Sequence, residues 1–156
     1  MIEIETSAHS TAPRSAVWSL LSDLRGWSEW GPWTKTELEG EGVGALRTMR
    51  SDRTKPITRQ AYVMRERVTA LEPETKFAYD LLSGLPVKNY SGEVTLSDAA
   101  DGGTDIHWAS KFNPPWPVLG GLWRGAMLKV ITDVSGRLAA EADRRAGGSS
   151  GAGGQA

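Results

Sequence analysis

The chain has 156 residues, with 18 Lys and Arg against 19 Asp and Glu, a net charge of −1 and no Cys. That length sets a prior of one domain, able to bury roughly 70% of the surface its unfolded chain exposes. The even charge argues against a dedicated nucleic-acid binder, and the lack of Cys excludes disulfides, zinc–thiolate sites, iron–sulfur clusters and cysteine nucleophiles.

The N-terminus, Met1-Ile2-Glu3-Ile4-Glu5-Thr6, alternates apolar and polar residues. It reads as a strand over 2–8 rather than a signal peptide, which points to a cytoplasmic protein. A helix follows, with Thr11 as N-cap, Pro13 in the first turn, Val17, Leu20, Leu21 and Leu24 at helical spacing, and Gly26 as its end. Trp27, Trp30 and Trp33 then come three apart, as on one side of a short helical turn that Pro32 limits.

From 34 to 112 the pattern is that of strands. Segments 34–39 and 43–51 flank the turn Gly40-Glu41-Gly42, and 57–71, 76–82, 87–96 and 104–112 follow, with turn residues between them. Pro114, Pro115 and Pro117 then break the chain. A helix over 118–145 carries an apolar stripe from Leu119 and Leu122 through Trp123, Met127, Val130, Ile131, Val134 and Leu138 to Ala142. The last ten residues hold five Gly and little to bury, so the reading is one domain over 1–145 and a disordered Gly/Ser-rich tail over 146–156. Hairpin-linked strands followed by one long amphipathic helix imply an α+β fold, with the helix across one face of the sheet. No apolar run approaches the ~18 residues of a membrane span.

Motifs for catalysis or metal binding are scarce. There is no G-x-S-x-G elbow, no H-E-x-x-H and no phosphate loop; Gly40-Glu41-Gly42-Val43-Gly44 leads into a strand and reads as a hairpin. His9 and His107 are the only imidazoles, and His107 falls on the strand face opposite Trp108, so neither a metal nor a cofactor is expected. Between 47 and 67 stand Arg47, Arg50, Arg53, Lys55, Arg59, Arg65 and Arg67 against Asp52 and Glu66, a local charge of +5. This run reads as a solvated convex face and loop; attraction of an anionic head group or a membrane surface is the second reading.

Tryptophan is over-used, with seven against two Phe. Alternation points Tyr90, Trp108, Ser110 and Phe112 at the long helix, and Leu119, Trp123, Met127, Val130 and Ile131 face back from it. Trp27 and Trp30 are expected at one end of that interface. Large rings beside Gly92 and isolated hydroxyls suit a lined cavity better than a close-packed core. Tyr79, Tyr90 and Ser110 are its polar candidates. Gly120, Gly121, Gly125 and Gly136 in the long helix suggest close packing or a frayed start, or else a mobile cavity mouth.

Several local signatures carry a resemblance. They are Pro13 with Val17-Trp18 and Leu21-Ser22-Asp23, then Trp27, Trp30 and Gly44, the pair Glu66-Arg67-Val68 and Leu71-Glu72-Pro73, Tyr79, Tyr90 with Gly92, and Gly103-Thr104 before Trp108. In that order they resemble the START-like, birch-pollen-allergen-like helix-grip superfamily (SRPBCC), in its bacterial polyketide cyclase/dehydrase and lipid-transport branch. The resemblance implies a curved seven-stranded antiparallel sheet wrapped around the C-terminal helix, two short helices after the first strand, and an apolar cavity between sheet and long helix. It implies binding or transport of a small hydrophobic molecule, such as a lipid, a polyketide or an isoprenoid-like compound. The alternative is a polyketide aromatase/cyclase in the same cavity, which the absence of an inward-facing His or carboxylate pair disfavours. A partner-binding module with a vestigial cavity is a third. The expected state is a monomer or weak homodimer, without nucleic acid and without integral membrane association.

Overall fold

The computed structural model describes residues 1–154, the side chains of 148–154 excepted. In chain order it contains β1 (Ile2–Ser10), α1 (Arg14–Ser22), a first 3-10 turn (Gly26–Glu29), β2 (Trp33–Glu39), β3 (Leu46–Thr54), β4 (Ala61–Glu72), β5 (Lys76–Ser83), β6 (Lys88–Asp98) and β7 (Thr104–Asn113). A second 3-10 turn (Pro117–Leu119) leads into α2 (Gly120–Gly154). The strands form one antiparallel sheet in the order β1-β7-β6-β5-β4-β3-β2. Every neighbour from β2 to β7 is a sequence neighbour, and β1 closes on β7 with Thr6 opposite Trp108.

Alternation decides which face is buried. Ile4 on β1, Met49 on β3, Val68 on β4, Phe77 on β5, Val94 on β6 and Ile106 on β7 all point to the inner side. α2 lies over this side, packed chiefly along β1 with further contacts to β7. Its stripe of Met127, Ile131, Val134, Leu138 and Ala142 is buried there, as the spacing of three and four residues requires. α1 docks on α2 through a face that buries Val17, Leu20 and Leu21. This is the helix-grip architecture.

Asp143 of α2 fixes the far corner. Its Oδ1 accepts from the Ser10 hydroxyl at 2.7 Å, the Thr11 amide at 2.8 Å and the Thr11 hydroxyl at 3.0 Å. Burial pushes the Asp143 carboxyl up, but these hydrogen bonds outweigh it and hold its pKa below the ordinary value.

The structure corrects several boundaries. Thr11 is not the N-cap of α1, because its hydroxyl is spent on Asp143; Pro13 occupies the cap. Gly26 opens the 3-10 turn instead of ending α1, and Trp33 already belongs to β2. Residues 57–60, expected within a strand, belong to the loop 55–60 that returns β3 to β4, closed by the Lys55 amide on the Gln60 carbonyl and by Arg59 at φ 60°. The helical backbone of α2 also continues past Arg145 to Gly154, across much of the expected tail; Gln155 and Ala156 lie outside the described residues. Among the described residues no helix is long and apolar enough to cross a membrane.

Candidate ligand-binding site

A cavity of about 50 Å³ lies between the inner face of the sheet and α2. β5, β6 and β7 supply Tyr79, Tyr90 and Trp108, the first 3-10 turn supplies Trp27, and α2 supplies Met127, Val130 and Ile131. These are seven of the twelve expected site residues. Trp30 is buried behind them, its ring 5.0 Å from that of Trp27. Phe112 stacks on Tyr90 at 5.9 Å, and Ser110 accepts the Tyr90 hydroxyl proton at 3.0 Å. Trp123 is half-buried against the core. Leu119 turns to solvent, because the 3-10 turn before α2 rotates it off the apolar stripe.

The cavity is small for a reason visible at Gly92. A Cβ there would stand 2.4 Å from the Tyr79 ring, so the space left by the missing side chain is filled by that ring. What the sequence suggested as a gap is a contact. Rings tie the interior together: Trp27 meets Trp33, Phe77 and Trp108 within 6.0 Å. The Trp27 indole N–H donates to the Leu21 carbonyl at 3.0 Å.

The polar side of the cavity is Glu66, which the expected site omitted. Alternation on β4 sets it in phase with Met64 and Val68, and its partner across the β3–β4 ladder is Arg47, in phase with Ala45 and Met49. Arg47 Nη2 donates to Glu66 Oε2 at 2.7 Å, and Arg47 is 0% exposed. Its guanidinium lies 3.9 Å from the centre of the Trp27 ring, and its Nε and Nη1 have no hydrogen-bond partner. The expectation that the whole basic run is solvated therefore fails at Arg47, and an inward carboxylate does exist. Opposite charges in the buried phase of adjacent strands were the signal for this pair.

Tyr79 shares the cavity with Glu66. The Trp108 indole N–H donates to the Tyr79 oxygen at 3.3 Å. Burial, then Tyr90 and the Glu66 charge, push the Tyr79 phenol well above its ordinary pKa, so it stays protonated at neutral pH. Burial also raises Tyr90, against the opposing effect of its bond to Ser110. The site thus holds one paired carboxylate and two neutral phenols within a wall of rings.

Elsewhere, a wider depression of about 680 Å³ opens on the outer face of the sheet over Thr69, Ala78, Ser91 and Ala109. It is open to solvent and edged by charged side chains, among them Glu93, Lys111 and Arg124. His9 is exposed between Asp101 at 2.8 Å and Asp105 at 3.2 Å. No group of three or more acidic or imidazole side chains among the described residues is placed to hold a metal.

A curved sheet gripping one long helix over a ring-lined cavity defines a helix-grip protein of the SRPBCC class. The family described as "polyketide cyclase / dehydrase and lipid transport" matches residues 1–143, and the chain belongs to that family. Solved structures share the fold. XoxI of Bacillus cereus superposes with a TM-score of 0.76 at 17% identity, over 90% of this chain and 95% of that one. The Zhui aromatase/cyclase of a Streptomyces species gives 0.72 at 21%, over 93% and 95%. The di-domain aromatase/cyclase StfQ of the steffimycin biosynthetic pathway gives 0.76 at 17%, over 94% of this chain and 52% of that one. No match emerges among curated proteins.

Proposed function

We propose that this protein binds or carries a small, mostly apolar molecule in the cavity between sheet and α2. The observation that carries the proposal is a cavity walled by Trp27, Trp108, Tyr90 and Ile131 yet holding a charged carboxylate and a neutral phenol. Apolar rings supply affinity at roughly 25 cal/mol per Å² buried, and Glu66 and Tyr79 would orient an oxygen-bearing group by accepting and donating hydrogen bonds. At about 50 Å³ the cavity is far below the roughly 300 Å³ at which small-molecule pockets begin. Occupancy therefore requires the walls to move. Met64 and Met127 are the side chains suited to it, since thioethers repack at little cost.

The sites proposed for ligand contact are the seven expected residues on the cavity wall, with Glu66 added. Titration of the native protein with a fluorescent fatty acid, read by quenching of the Trp emission, tests the proposal. Saturable binding that weakens in Tyr79→Phe and Glu66→Gln supports it, and no saturable binding to the native state overturns it.

Glu66 specifically favours a second reading, an aromatase/cyclase-type reaction. A buried carboxylate beside a protonated phenol is a base and an acid facing one cavity, the pair needed to move a proton from carbon to oxygen. Cyclised product from a poly-β-ketone, lost in Glu66→Gln while binding persists, would establish that reading over carriage.

A further inference from the structure

The exposed apolar side chains are not scattered. β1, β2, β4 and β6 begin, and β3, β5 and β7 finish, at the same end of the sheet. Loops 55–60 and 84–87 and the second 3-10 turn sit there too. Of the large apolar side chains left exposed among the described residues, all but Val43 belong to this end. Its centre is one short stretch, where Trp116 is 60%, Val118 93% and Leu122 70% exposed. Pro115 and Pro117 fix the backbone on either side of Trp116, holding the indole off the core.

Charge separates along the same axis. Arg53, Lys55, Arg59 and Lys88 are exposed in the loops and strand ends here, against Asp52, a balance of four minus one, or +3. The opposite end carries Glu41, Glu74 and Asp101 in its loops and Asp98 at the end of β6, the last paired with Arg14 at 2.8 Å. A basic excess is thus gathered at the Trp116 end of a chain whose net charge is −1.

We propose that the Trp116–Leu122 end docks on a lipid bilayer bearing anionic head groups, with Trp116, Val118 and Leu122 entering the interface and the ring of Lys and Arg lying over the phosphates. An indole beside aliphatic side chains matches the head-group boundary, and clustered basic residues are drawn to an anionic leaflet. A second copy meeting this face symmetrically would bring two such positive rings together, so the bilayer is the occupant the charges select. The inference rests on the surface alone and stands whatever the cavity takes.

The test is flotation of the purified protein with phosphatidylcholine vesicles, with and without phosphatidylglycerol, at low and high salt. Binding should require phosphatidylglycerol and weaken with salt. Val118→Asp with Leu122→Asp should lower it by roughly tenfold or more, as should Lys55→Glu with Arg59→Glu. All four positions are solvent-exposed, so each variant should melt as the parent does, which is checked first. Three results would overturn the proposal: no flotation with anionic vesicles, equal flotation of parent and both variants, or a lipid-free dimer abolished by the apolar pair of changes.

Discussion

Removing the charge of Glu66 while keeping its shape isolates the buried pair. Glu66→Gln leaves the Arg47 guanidinium, fully buried and already lacking partners at Nε and Nη1, with no counter-ion. Breaking one side of such a pair costs about 3–5 kcal/mol. For a domain of this size each kcal/mol lowers the melting temperature by roughly 2–4 °C, so the loss is about 6–20 °C. The Trp27 face 3.9 Å from the guanidinium supplies partial compensation through its quadrupole, which places the expectation at the lower end. Arg47→Met combined with Glu66→Leu removes both charges and should recover most of the loss, because the pair has only one hydrogen bond to set against two desolvated ions. Urea unfolding of the parent, Arg47→Met, Glu66→Leu and the double variant gives the coupling directly. A single-variant loss below about 1 kcal/mol, or a double variant as weak as the sum of the singles, would refute the claim that Glu66 is what neutralises Arg47.

Glycines in α2 offer a gain of stability: a Cβ at Gly125 or Gly136 would meet nothing within 4 Å, so each Gly→Ala change should add about 0.5–1 kcal/mol in urea unfolding. A loss at either site would show that the helix needs its flexibility or a contact there. Part of the acid sensitivity should trace to Asp143, whose folded pKa lies below its ordinary 3.8. The stability it contributes is fully present above that ordinary value and is lost as pH falls through the lower folded one. Asp143→Asn should flatten the acid limb of the stability curve, and an unchanged limb would refute the assignment. Truncation after Ala146 should leave the melting temperature unchanged, since a Cβ at Gly147 would meet nothing within 4 Å; a loss of several degrees would show that the segment packs.

Local pattern in the sequence carried the fold. Period-two alternation in β1, β6 and β7 placed Ile4, Tyr90, Val94, Trp108 and Phe112 on one face, and the spacing of Met127, Ile131, Val134 and Leu138 placed the face of α2 that meets them. Each is a short-range consequence of backbone geometry, so no distant partner need be known. What depends on distant partners was not legible in the same way. Thr11 gave its hydroxyl to Asp143, 132 residues away, instead of capping α1. Gly92 looked like empty space until the Tyr79 ring of the neighbouring strand was laid over it. Arg47 and Glu66 each read as surface charges, and only the β3–β4 register, which sets them opposite one another beneath Trp27, made burial tolerable for both. The sequence by itself determined which faces are apolar. The tertiary structure decided the volume left between them and the charge inside it, because both depend on how side chains from separate strands fill one space.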